Sequence, residues 1–97
     1  MNEYMVDIDL PELTQEFVSL IPSQIVTTNK LMKSGKISSY TLSSDRTKLW
    51  VLINAESEKE ATDILKTFPI YPYLDFNIYK LAFNNTISVF LPKLSLN

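Results

Sequence analysis

The sequence predicts an α+β domain in the order strand, helix, strand, strand, helix, strand. Three observations carry this. Residues 3–9 alternate, with Tyr4, Val6 and Ile8 on one side and Met5, Asp7 and Asp9 on the other, the period of a strand with one buried face. Two later stretches repeat their apolar residues at three- and four-residue steps, as a helix packing one stripe requires. Between them Leu49, Trp50, Val51, Leu52 and Ile53 form an unbroken apolar run, and a strand apolar on both faces is normally covered on both.

Pro11 closes the first strand. The first helix carries Phe17, Ile21, Ile25, Thr28, Leu31 and Met32 along its expected buried stripe. Pro22 lacks an amide hydrogen and crowds the turn before it, so a break is expected near Ile21, with an opening turn from Thr14 and the main helix from about Ser23. Lys30 and Lys33 suit the negative end of the helix dipole, and Gly35, the only glycine in the chain, supplies a left-handed closing residue. Residues 36–44, with Ile37, Tyr40 and Leu42 among serines and threonines, read as an edge strand. Ser43-Ser44-Asp45-Arg46-Thr47 then turns the chain into the central strand, residues 48–54.

Ser57-Glu58-Lys59-Glu60 is a capping box, a serine hydroxyl for the orphan amides and a glutamate three positions on to bond back. The helix it opens has a stripe of Ala61, Ile64, Leu65 and Phe68. Pro69 and Pro72 end that helix and force an extended approach to the last strand, residues 74–83. The domain is thus residues 1–83. Residues 84–97, with Ile87, Val89, Phe90 and Leu91, form an apolar tail expected to pack on the domain or on a partner subunit.

Composition narrows the chemistry. With 97 residues the chain has room for one core, and 45% hydrophobic against 21% charged residues is a folding mixture. Nine scattered basic residues and a net charge of −2 provide no field for phosphates, so nucleic acid is not expected as a partner. No apolar run approaches a bilayer span, and Met1-Asn2-Glu3 opens without the features of a signal peptide; no membrane partner is expected, and the cytoplasm is the simplest location. The absence of cysteine and histidine excludes disulfides, thiolate nucleophiles, Ser-His-Asp and Cys-His triads and imidazole-held metals. No cofactor and no metal are expected.

Two β-α-β units with right-handed crossovers place both helices on one side of a four-stranded antiparallel sheet whose first and third strands lie in the middle, the ferredoxin-like arrangement. The other face carries either Trp50 and Leu52 or Leu49, Val51 and Ile53, depending on register. At about 25 cal/mol per Å² of apolar surface, leaving that face wet forgoes a large share of a small domain's stability. A second copy packed sheet to sheet is therefore expected, as a homodimer with a barrel-like interior or a larger homo-oligomer.

Polar residues on that inner face, Asp7 and Asp9 or Asn77 and Tyr79, become ligand candidates. The binding set is taken as Asp7, Tyr40, Trp50 and Tyr79. Asp7 and Asp9 read either as paired carboxylates, one kept protonated, or as a solvated strand edge. Trp50 reads as core or dimer interface, or as the floor of an aromatic pocket, and Tyr40 and Tyr79 likewise. Arg46 is either a clamp for a carboxylate or a solvated hairpin charge. Asp75 reads as an anchor for backbone amides at the proline turn.

The segment Phe68-Pro69-Ile70-Tyr71-Pro72-Tyr73-Leu74-Asp75-Phe76 resembles the muconolactone delta-isomerase family, in which a short helix also ends in an apolar-Pro-apolar-aromatic-Pro-aromatic run before an Asp and the last strand. Gly35-Lys36, Leu49-Trp50 and Glu56-Ser57 are similar as well, so the likeness covers about the C-terminal half of the chain, and the first strand by pattern. The resemblance implies a dimeric α+β barrel or larger ring that binds or isomerises a small, partly apolar cyclic acid. It carries over no catalytic residue, and without histidine a proton transfer would fall to a carboxylate, Lys or Tyr. Two rival readings are a non-catalytic assembly protein with a filled barrel and an antibiotic-biosynthesis-type monooxygenase on the same barrel. A filled interior favours assembly; a pocket of a few hundred Å³ with convergent polar groups favours a ligand.

Overall fold

The computed structural model describes residues 1–85. Within them the elements are β1 (Asn2–Asp9), α1 (Gln15–Val18), α2 (Ile21–Lys33), β2 (Ile37–Leu42), β3 (Lys48–Ala55), α3 (Glu58–Lys66), a turn of 3-10 helix (Tyr71–Tyr73) and β4 (Asp75–Lys80). The strands form one antiparallel sheet in the order β2-β3-β1-β4. This is the ferredoxin-like α+β arrangement expected from the order of elements. No helix among the described residues is long and apolar enough to cross a membrane.

Register decides which residues see the helices. Tyr4, Val6 and Ile8 of β1 lie opposite Ile53, Val51 and Leu49 of β3, and all six are buried. Phe17 from α1 and Ala61, Ile64 and Leu65 from α3 close over them as a single core. The opposite face carries Met5, Asp7, Trp50 and Leu52 on the central strands, with Asn77 and Tyr79 beside them on β4. Trp50 is 36% exposed and Tyr79 54%, whereas Leu52 is buried.

In β2 the register slips at Ser38, between the pairs Ile37↔Ile53 and Ser39↔Leu52. This bulge places Ile37, Tyr40 and Leu42 together on the helix side, although strict alternation would separate Ile37 from the other two.

The first helix breaks at Ser19 and Leu20. Thr14 caps α1 by accepting from the Phe17 amide at 3.2 Å, and Pro22 falls within the first turn of α2, where a missing amide hydrogen costs no bond. Gly35, at φ +80°, closes α2: the Lys36 amide donates to the Leu31 carbonyl at 3.0 Å and the Gly35 amide to the Met32 carbonyl at 3.1 Å.

The expected α2 stripe requires correction. Phe17 and Thr28 are buried and Leu31 packs partly buried on the core, as expected, and Gln24 is buried with them, but Ile21, Ile25 and Met32 are exposed. The break resets the helical phase, so Phe17 of α1 and Ile25 of α2 do not share a face.

α3 follows expectation, with Ser57 Oγ accepting from the Glu60 amide at 3.1 Å and Glu60 Oε1 accepting from the Glu56 amide at 3.0 Å. The proline segment is less extended than expected: Tyr71 N–H donates to the Phe68 carbonyl and Tyr73 N–H to the Ile70 carbonyl, both at 2.9 Å, a tight turn that buries Phe68 and Ile70. β4 is shorter than residues 74–83; its ladder ends with Leu81 N–H donating to the Glu3 carbonyl at 2.9 Å. The apolar tail lies outside the described residues from residue 86 onward.

Candidate functional site

Three members of the predicted binding set share the open sheet face. Asp7 lies opposite Trp50 on one side and Asn77 on the other, and Tyr79 lies opposite Met5. Tyr40 points from the other face, toward the helices, so the four do not converge.

Asp7 and Asp9 meet Lys48 rather than each other. The Lys48 ammonium lies 2.8 Å from Asp7 Oδ1 and 2.8 Å from Asp9 Oδ1. It donates a hydrogen bond to Asp9; its approach to the buried Asp7 Oδ1 is too bent for one, and that contact is a charge pair. The two carboxylates, Asp7 first and then Asp9, hold the ammonium above the usual lysine range. A shared ammonium relieves the repulsion between the carboxylates, which makes this a structural bridge rather than an acid-base pair. Among the described residues no group of three or more His, Cys, Asp or Glu side chains is placed to hold a metal.

On the helix side, a cavity of about 510 Å³ opens between α1–α2 and the β2–β3 half of the sheet. Its floor is the buried Phe17, Leu49 and Ile70, and its lip is the exposed Leu13, Ile25 and Leu42. Two of the residues that break the expected stripe of α2, Ile21 and Ile25, thus line this cleft. Three polar side chains also line it: Gln24, Tyr40 and Arg46.

Gln24 is 3% exposed. Its Oε1 accepts from the buried Ile70 amide over a long 3.4 Å, and its Nε2 donates to Thr28 Oγ1 at 3.1 Å. Because the Ile70 amide can only donate, the oxygen must face the proline segment and the NH₂ group must face Thr28. Tyr40 extends into this cluster from β2 and packs near Phe68, ring centroids 6.3 Å apart. Burial pushes the Tyr40 hydroxyl above its ordinary range, partly opposed by hydrogen bonding from Thr28 and Gln24, so it stays a neutral donor.

Arg46 stands at the other end, in the hairpin between β2 and β3, with its backbone left-handed at φ 63°. Asp45 Oδ1 holds this loop by accepting from Ser43 Oγ at 2.8 Å, the Thr47 amide at 3.0 Å and Thr47 Oγ1 at 2.7 Å. Those bonds, Thr47's first, keep the Asp45 carboxyl below its usual range. The Arg46 guanidinium donates once, from Nη1 to the Ser44 carbonyl at 3.0 Å, and no ion pair forms on it among the described residues.

Of the predicted set, Tyr40 lines this cavity, and Arg46, weighed as a carboxylate clamp, stands at its mouth. Sequence reasoning missed Gln24. The available signal was Gln24 and Thr28 at i and i+4, flanked by Leu20 and Leu31 on the same helical face. Compared with protein-family models and with curated proteins, the chain matches none.

Proposed function

We propose that the protein binds a small, partly apolar acid in the cleft between α1–α2 and the sheet, as a homodimer closed across the open sheet face, in the manner that its resemblance to the muconolactone delta-isomerase family implies. The cavity carries this reading: about 510 Å³, apolar walls, and an arginine at the mouth without a carboxylate partner among the described residues. Arg46 and Tyr40 are the ionisable side chains in the lining. Burial holds Tyr40 neutral, and among the described residues no carboxylate or lysine lines the cavity, which favours binding over isomerisation.

Calorimetric titration with phenylacetate tests the reading. The wild type is expected to bind, and Arg46→Gln to bind about tenfold or more weakly, the usual worth of a charge-assisted hydrogen bond. Failure of phenylacetate and longer aryl acids alike to bind the wild type would sink it.

The exposed Trp50 and Tyr79 support a second reading, in which the open face exists for assembly alone. Sedimentation separates the two. A dimer that Trp50→Glu converts to monomer, combined with no acid binding, leaves assembly as the function.

A further inference from the structure

The cavity has two polar ends, and Arg46 accounts for one. Tyr40 lies opposite Val51 and Leu42 opposite Leu49, with the hairpin beyond them in the same direction. At about 3.4 Å per residue, Tyr40 and Leu42 are separated by about 7 Å along the strand, and Arg46 stands farther on. Apolar side chains, Leu42, Leu49 and Ile21 among them, line the space between.

At the inner end the internal hydrogen bonds leave one group uncommitted. Gln24 is fixed by Ile70 and Thr28, and Thr28 Oγ1 already accepts from Gln24. Tyr40 is in the lining with its hydroxyl near Thr28 and Gln24, and the hydroxyl hydrogen turns about the C–O bond, toward Thr28 or into the cavity. A buried polar cluster in a helix-sheet interface is less stabilising than an apolar one unless every member is bonded, and an oxygen in the cavity would complete this one.

We infer that the Tyr40–Gln24 end of the cavity recognises a hydroxyl or carbonyl group, so that the ligand is an acid with a second, neutral polar group about one ring's length from its carboxylate. This rests on the acid-binding reading. Burial keeps Tyr40 neutral, which suits a neutral partner and disfavours a second carboxylate there.

The test is calorimetric titration of three probes, phenylacetate, 4-hydroxyphenylacetate and 4-methylphenol, into the wild type, Tyr40→Phe and Gln24→Leu. In the wild type the hydroxyl should tighten acid binding about tenfold, the worth of one well-placed hydrogen bond in a dry site. Tyr40→Phe, which keeps the ring and its packing, should reduce the ratio between the affinities of the two acids to about twofold, whatever its effect on phenylacetate itself. Equal affinity of the two acids for the wild type overturns this inference and leaves acid binding intact, as does a tenfold gain that survives in both Tyr40→Phe and Gln24→Leu. Binding of 4-methylphenol alone, or of no probe, overturns the acid reading and this inference with it.

Discussion

α2 and α3 lie on the same face of the sheet and solve opposite problems. α3 is short, begins on a complete capping box and buries Ala61, Ile64 and Leu65, so its apolar stripe is spent on the core. α2 is longer, has no side-chain cap, buries Gln24 and Thr28 and leaves Ile21, Ile25 and Met32 exposed. A helix that holds the fold together puts its apolar residues inward, as α3 does. One that exposes part of its apolar stripe gives up packing on its own chain, and here Ile21, Ile25 and Gln24 line a cleft instead. Under the proposed acid-binding reading, this difference makes α2, rather than α3 or the open sheet face, the element that would meet the ligand.

The contrast should be largest in stability. Leu65→Ala, at a fully buried site in α3, is expected to cost about 2–5 kcal/mol, whereas Ile25→Ala on α2 should stay within about 0.5 kcal/mol by urea denaturation. A comparable loss at Ile25 would mean that its side chain is buried in solution. Gln24→Leu should fall between them, at about 1–3 kcal/mol, because it strands the buried Ile70 amide; an unchanged midpoint would show that this bond contributes nothing.

The smallest effect is in pH dependence. Tyr40 has a raised pKa in the fold, so its neutral form is favoured there; its contribution is complete below its ordinary value of 10.0 and is lost as pH rises through the folded value. Lys48, also raised, acts in the same direction from 10.5 upward. Between about pH 9 and pH 11 the wild type should therefore lose more stability than Tyr40→Phe. Parallel profiles would remove Tyr40 from the buried cluster.

The α3 half of this comparison was legible from sequence because its signals are local: Ser57 and Glu60 at cap spacing, and a stripe uninterrupted by proline. The strands were legible for the same reason, and the register between them settled that Trp50 and Leu52 face away from the helices. The α2 half was not. Its phase depends on where the chain restarts after Ser19 and Leu20: Thr28 and Leu31 face the core as expected, whereas Ile21, Ile25 and Met32, counted from Phe17, do not. Tyr40 was selected for the site but assigned to the sheet face with Trp50, because a bulge at Ser38 is invisible in an alternating pattern. Gln24 was hidden by its type: a glutamine is read as solvated until its buried partner, here a main-chain amide 46 positions away, is known.

Arg46 carries a last consequence. A side chain in the left-handed region costs roughly 1 kcal/mol that glycine does not incur, and the hairpin accepts that cost at φ 63° with an arginine. Arg46→Gly should therefore make the protein slightly harder to melt, while Arg46→Gln, which keeps the strained Cβ, should not. A mutant that gains heat resistance and loses its acid would show the hairpin to be a place where durability was given up for recognition, and selection for thermostability alone would erase the mouth of the site first.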